Sequence, residues 1–335
     1  MDFRTKTEIE SWGYRLHHSD KLLVMGSCFA EHIGGRLEHM KFRTMVNPYG
    51  VLYNPLSIAE GLLRLLECRL FSEKELYEFP DGGWNTWLHH SRYSHPDKDE
   101  ALAVINEGVE RASHRLADAD VLLLTFGTSW VYRLADTGEV VGNCHKVPER
   151  RFVRQRLSVQ EIVGALAEVL HCVTDVNPRV KLVLTVSPVR HLKDGLHGNQ
   201  LSKSTLLLAV DELCRRFPDR CYYFPAYEIV MDELRDYRFY SEDMAHPSKQ
   251  AADYVWECFV EHCIAPDARH FMQQWEKVLS ALSHRPFRPQ SEQYREFVCK
   301  ILSEMAELQE RYPYLDIQEE VSRCHTLLLR PADAL

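Results

Sequence analysis

The residues best suited to chemistry stand just after short apolar runs. The first such run, Lys21–Gly26, leads into Gly26-Ser27-Cys28-Phe29-Ala30, and a later loop reads Asp243-Met244-Ala245-His246-Pro247. A serine hydroxyl is a poor nucleophile until a base takes its proton, and that base is normally oriented by a carboxylate. An aspartate placed as Asp243 is relative to His246 can fold back onto the imidazole within one turn of chain. Gly26 lets a strand turn sharply, and a helix starting at Ser27 would aim its N-terminal N–H groups at a developing oxyanion. Plainer readings exist for each residue. Ser27 suits a helix N-cap, and Asp243 and His246 suit an exposed carboxylate beside a capping histidine. Cys28 shares the helix N-terminus, where thiolates form readily. A small buried hydrophobe facing away from the site suits it better.

Further candidates follow the other apolar runs: Asn47-Pro48-Tyr49-Gly50, Gly127-Thr128-Ser129 and Ser187-Pro188-Val189-Arg190-His191. Arg190 and His191 could bind a substrate carboxylate or phosphate, or simply cap the sheet. Lys203 and Ser204 read as the opening of a helix with Ser202, where capping accounts for them. Cys144, His145 and the histidines of the Tyr77–Pro96 stretch lack a recognisable ligand spacing, so no metal is expected.

The elements that must hold these residues can be read from periodicity. Strands are predicted at Lys21–Gly26, Phe42–Val46, Asp120–Gly127, Lys181–Ser187 and Cys221–Phe224. Helical spacing marks Ala30–Met40, Leu56–Leu66, Ala101–Leu116, Val159–Leu170 and Lys203–Phe217. Strands alternating with helices imply a parallel sheet covered on both faces, with ligands beyond the carboxyl ends of its strands. Trp130–Gly142 reads as a β-hairpin inserted after a core strand, turning at Asp136-Thr137-Gly138. Tyr77–Pro96 reads as an irregular loop whose Trp84 and Trp87 could form a lid. A helix is expected from Pro247 to about Cys263, with the proline at its first position. Beyond residue 264 the amphipathic pieces Phe271–Leu282 and Glu292–Glu310, divided by the Pro- and Arg-rich loop His284–Pro289, predict a helical C-terminal extension. The expected division is 1–264 for the α/β domain and 265–335 for the extension.

Composition narrows the class. The 335 residues carry a net charge of -9 with both signs interspersed, which argues against a nucleic-acid partner. No apolar run is long enough to span a membrane. The N-terminus lacks the apolar core of a signal peptide, and ten scattered cysteines without a CxxC suit reduced thiols. A cytoplasmic protein is expected.

Gly26-Ser27-Cys28-Phe29-Ala30 resembles the motif of the GSCFA family, which is similar to the SGNH/GDSL hydrolases. The resemblance continues through Asn47-Pro48-Tyr49-Gly50, Tyr53-Asn54-Pro55, Phe126-Gly127-Thr128, Asn143-Cys144-His145-Lys146 and Ser187-Pro188-Val189-Arg190-His191. Asn199 to Ser204 and Asp243-Met244-Ala245-His246-Pro247 complete it, so that it covers about residues 10 to 260. It implies a three-layer α/β/α fold with a flavodoxin-like sheet. It implies Ser27 as nucleophile, His246 as base and Asp243 as its acidic partner. Gly50 stands where the superfamily's second glycine gives its N–H to the oxyanion, and Gly127 matches the glycine of the third block. That block is normally Gly-x-Asn, whereas here Ser129 takes the asparagine's place. A hydroxyl reaches less far than a carboxamide, and the loss of one oxyanion donor costs on the order of 100- to 1000-fold in rate. Asn143, just past the hairpin, is the candidate substitute, with an ordinary Asx turn as its other explanation. The expected activity is that of a serine esterase or O-acyltransferase acting on a small-molecule or carbohydrate ester, with no metal or organic cofactor. The alternative is a non-catalytic carbohydrate- or partner-binding module on the same fold.

Overall fold

Parallel neighbours in a sheet can be joined only by a crossover, and almost every apolar run of this chain is followed by a helix that provides one. The computed structural model describes residues 4–329 except 81, 285, 289 and 290. Its first half runs β1 (Lys21–Gly26), α1 (Cys28–His39), β2 (Arg43–Val46), α2 (Pro55–Leu66), β3 (Tyr77–Phe79), β4 (Gly83–Asn85), α3 (Lys98–Asp118), β5 (Val121–Phe126), β6 (Trp130–Leu134), β7 (Val140–Val141) and β8 (Phe152–Arg156). Then come α4 (Val159–Val176), β9 (Lys181–Val186), α5 (Gly195–Arg216), β10 (Cys221–Phe224) and α6 (Ala226–Glu228), which continues as a π-helical segment, Ile229–Leu234. The chain ends in α7 (Lys249–Cys263), α8 (Pro266–Ser283), α9 (Glu292–Arg311) and α10 (Gln318–Leu329).

Five strands form one parallel sheet in the order β2-β1-β5-β9-β10. This is the flavodoxin-like winding, in which the second strand lies outside the first and the order reverses between β1 and β5. Alternate side chains of each strand feed two separate cores. Leu22, Val24, Val121 and Leu123 pack against α1 and α7, while Leu23, Met25, Leu122 and Leu124 pack against α2, α3, α4 and α5. The result is a three-layer α/β/α fold, as the alternation of apolar runs and helices predicts. All five predicted sheet strands are found within a residue or so of their expected limits.

Several peripheral elements differ from expectation. The Trp130–Gly142 hairpin acquires a third antiparallel strand, β8, which pairs with β6 from Trp130↔Arg156 to Leu134↔Phe152. Its sequence, Phe-Val-Arg-Gln-Arg, carries two charged residues in five and gives no strand signal of its own. Tyr77–Pro96 is not wholly irregular, since β3 and β4 pair within it. Helix α5 begins at Gly195, so Lys203 lies mid-helix and caps nothing. Ser248 caps α7, and Pro247 precedes it in a bridge to Tyr240 rather than opening the helix. Residues 285 and 289 of the Pro- and Arg-rich loop lie outside the described residues.

The C-terminal helices are continuous with the first core. Phe271, Trp275, Val298, Ile301, Met305 and Cys324 join the cluster that contains Phe29, Ile33 and Leu37 of α1. The Trp275 indole donates to the His39 carbonyl, at the end of α1, over 3.0 Å. Deleting so large a fully buried side chain leaves a cavity. Trp275→Ala is therefore expected to lower the stability of the whole chain by about 3–5 kcal/mol. Chemical denaturation should show one shifted transition rather than the separate melting of a C-terminal piece.

Candidate functional site

The turn from β1 into α1 takes a single residue. Gly26 adopts φ +139°, and a methyl group there would overlap the carbonyl oxygen of Thr125 on β5. Its N–H is held by Asn47 Oδ1 at 2.8 Å, and its carbonyl accepts from Leu52 N–H at 2.9 Å. Ser27 follows as the N-cap of α1, and its Oγ accepts from the Phe29 N–H at 3.3 Å. Gly127, just beyond β5, stands against it. A Cβ at Gly127 would lie 3.3 Å from that of Ser27. Ser27 is only 1% exposed, and it is Cys28 that lines the neighbouring cavity. Cys28 therefore does not face away, as its position suggested.

That cavity, of about 500 Å³, opens at the end of the sheet where the strand order reverses. Cys28, Tyr53, Thr128, Asn143, His191 and His246 are in its wall, together with Trp130, Tyr132 and Arg154 of the three-stranded sheet. His246 is brought there by its own loop. Asp243 Oδ2 meets His246 Nδ1 at 2.6 Å, while Asp243 Oδ1 accepts from the N–H groups of Ala245 and His246, both at 3.0 Å. These hydrogen bonds, with the backbone N–H of His246 first, hold the Asp243 carboxyl down at about 2. Arg190 N–H donates to the Ala245 carbonyl at 3.0 Å, which fastens this loop to the exit of β9. Both side chains of the pair are about half exposed. Among the described residues no hydrogen bond joins Ser27 to His246; such contacts are often loose until substrate binds.

The expected oxyanion donors are mostly engaged elsewhere. The N–H of Ser27 donates to Thr125 O at 3.1 Å, which extends the β1–β5 ladder by one residue. The N–H of Gly50 closes a turn onto Asn47 O at 2.7 Å, at φ +78°. The Gly127 N–H donates to Tyr53 O at 2.8 Å. Ser129 is fully buried, and its hydroxyl and N–H both turn to Ser202 Oγ, at 3.1 and 2.8 Å. Gly50 and Ser129 therefore serve the scaffold, and neither offers a hydrogen to the cavity. Asn143 does line it. Its Oδ1 accepts from His145 N–H at 2.8 Å, in the Asx geometry, so its Nδ2 is the end left to donate. The Asn143 N–H is itself held by the Trp87 carbonyl at 3.1 Å. Cys28 N–H, at the first position of α1, is a helix-terminal donor with no intrahelical acceptor.

The aromatic lid is not where the sequence placed it. Trp87 is buried in a small core with Phe79, Leu134 and Val141, and Trp84 lies under the Lys98 ammonium. The rings that face the cavity are Tyr53, Trp130 and Tyr132. His145 is also interior, stacked 3.9 Å from Phe79 with Nε2 2.9 Å from Thr86 O. Among the described residues no three His, Cys, Asp or Glu side chains are grouped to hold a metal.

One residue that the sequence left as a cap belongs to this site. Lys203 is 1% exposed, and its Nζ donates to the carbonyls of Gly127 and Ser187, both at 2.6 Å. Burial pushes its amine down to about 7. Burial also pushes His191 down to about 4, and the Lys203 charge adds to this, so His191 is neutral at pH 7. The Cys28 thiol is raised by burial against the opposing pull of Lys203. Arg190 crosses the Tyr240 ring at 4.0 Å. No local pattern marks Lys203, because a lysine within a helix is ordinarily solvated.

Residues 21–259 match the model of the GSCFA family, and residues 275–330 match that of the GSCFA domain protein, C-terminal domain. No curated protein matches the chain. Among the described residues no helix is long and apolar enough to cross a membrane.

The Lys203 amine yields a pH dependence with a defined sign. Its folded value, about 7, lies below the 10.5 of a free lysine. Between these values the unfolded chain keeps a proton that the folded chain has released, so stability rises with pH across that window. Between pH 7 and pH 10, denaturation should show the wild type gaining stability relative to Lys203→Met, the opposite contribution of buried thiols and phenols such as Cys263 and Tyr223 being common to both.

Proposed function

The chain belongs to the GSCFA family, and on that premise we propose that it is a serine-dependent esterase or O-acyltransferase working through an acyl-Ser27 intermediate. The observation that carries this reading is the Asp243–His246 pair. It opens into the cavity beside the N-terminus of α1, where Ser27 is the cap. Rotation about χ1 would release Ser27 Oγ from the Phe29 N–H and turn it toward the bound ester. Oγ then bonds to the carbonyl carbon as its proton passes to His246 Nε2, while Nδ1–H donates to Asp243. Asn143 Nδ2 and the Cys28 N–H are the donors left to meet the oxyanion. Collapse breaks the ester C–O bond, and the alcohol leaves with the proton from His246. Water, or an acceptor hydroxyl, removes the acyl group by the same steps in reverse.

Tyr53, Trp130 and Tyr132 give the cavity aromatic faces, which suit a sugar ring. Arg190 and His191 lie beside His246 and are assigned to substrate contact. The reading extends the likeness to SGNH hydrolases, and needs neither a metal, an organic cofactor, a nucleic acid nor a membrane. All ten cysteines are free, which supports a cytoplasmic location.

One observation favours a second reading, a non-catalytic carbohydrate- or partner-binding module. Ser27 Oγ is engaged as a cap, and the Ser27 and Gly50 donors are engaged in the backbone. Reaction with a fluorophosphonate separates the two, because it requires an activated serine. Wild type and Cys28→Ala are expected to label, Ser27→Ala not at all, and His246→Ala at least about 100-fold more slowly. Well-folded wild type that never labels would support the binding module instead.

A further inference from the structure

Ten cysteines are scattered along the chain, and the fold brings two of them together. Cys214 lies in the last turn of α5, and Cys221 opens β10. The turn between them is tight, with the Phe217 N–H donating to Leu213 O at 3.1 Å and the Cys221 N–H to Phe217 O at 2.9 Å. It sets the two sulfurs 3.6 Å apart, near enough for one thiol to donate to the other. Among the described residues no other two cysteines have their sulfurs in such contact. Both line a separate cavity of about 630 Å³, walled by Trp12, Leu207, Tyr222 and Tyr223. Cys214 is half-buried and Cys221 is 7% exposed, so a small solute entering the cavity meets Cys214 first. A disulfide joins its sulfurs at about 2.05 Å, so closure from 3.6 Å takes about 1.5 Å, which side-chain rotation at a helix end can supply. The hydrogen bond with Cys221 lowers the Cys214 thiol, against burial and the charges of Asp211 and Glu10; the same bond and burial raise Cys221. Cys221 begins its strand, whereas the candidate active site lies beyond the carboxyl ends of the sheet. The pair is therefore independent of the acyl chemistry.

We propose that Cys214 and Cys221 form a redox-active dithiol, a modification site that hydroperoxides convert to an intramolecular disulfide. The Cys214 sulfur attacks one peroxide oxygen, the O–O bond breaks, and the other oxygen leaves as water with the thiol proton. Cys214 is then a sulfenic acid. The Cys221 sulfur attacks the Cys214 sulfur, the S–O bond breaks, and a second water leaves with the Cys221 proton. Two thiols lose two electrons in all, and one hydrogen peroxide becomes two waters.

The test treats the folded full-length protein with hydrogen peroxide, blocks the remaining thiols with N-ethylmaleimide and digests it with trypsin without reduction. Cleavage after Arg215 and Arg220 leaves the two cysteines on different peptides, so mass spectrometry reads the disulfide as a cross-link between Ser204–Arg215 and Cys221–Arg235. The cross-link is expected to form at least about tenfold faster than Cys68, Cys172 and Cys299 are oxidised, although these are exposed. Dithiothreitol should remove it. In Cys221→Ser, Cys214 should stop at the sulfenic acid, which dimedone traps, and in Cys214→Ser the Cys221 thiol should survive the same dose. Oxidation of the exposed cysteines ahead of this pair, or oxidation of wild-type Cys214 without a link to Cys221, overturns the proposal. So does a cross-link found only in covalent dimers on a non-reducing gel. Wild type alone gives these results, so a serine variant that fails to fold leaves the decision intact.

Discussion

The site rests on one close approach, the end of β1 pressed against the end of β5. Gly26 has no side chain because the Thr125 carbonyl occupies that space, and Gly127 is bare where it meets Ser27. The contact allows the strand to become a helix at once, so the N-terminus of α1 arrives where the sheet order reverses. In open parallel sheets that reversal leaves a crevice between neighbouring crossovers. The same approach draws the Ser27 N–H into the ladder, which explains why a donor expected from sequence is not offered to the cavity.

The remaining architecture holds this contact from both sides. Asn47 fixes the Gly26 N–H, and the Tyr53 carbonyl accepts from both Gly127 and Thr128. From below, Lys203 joins Gly127 to Ser187. From outside, the C-terminal helices bury the far face of α1, and Trp275 caps its last turn through the His39 carbonyl. The C-terminal extension thus buttresses the helix whose first turn carries Ser27. The Asp243–His246 loop is the freer part. Its pairing is local, and it reaches the sheet through Arg190 N–H and the Ala245 carbonyl.

Legibility in the sequence follows from how local each signal is. The three central sheet strands were readable because strands buried on both faces must be continuously apolar, as in Val121–Phe126, and the half-buried edge strands β2 and β10 were readable from their β-branched and aromatic residues. Strand β8 was not, because its residues are half exposed and charged. The Asp243–His246 contact spans three residues and could be anticipated from spacing. The outward turn of Cys28, the inward turn of Ser129 and the burial of Lys203 could not. Each depends on which side of an element faces a neighbour remote in sequence. Trp84 and Trp87 misled for the same reason, since aromatic residues in a loop suit a lid and a small core equally well.

The central claim, that Ser27 is the activated nucleophile of this turn, is tested most directly by trapping its acyl intermediate. Wild type would be mixed with an activated acetyl ester, quenched in acid within seconds, and the peptide containing Ser27 and Cys28 sequenced by mass spectrometry. An acetyl group on Ser27 that resists neutral hydroxylamine, and is absent from His246→Ala, is the predicted result. An acetyl group on Cys28 that hydroxylamine removes, or a peptide that remains unmodified throughout turnover of the ester, would contradict it.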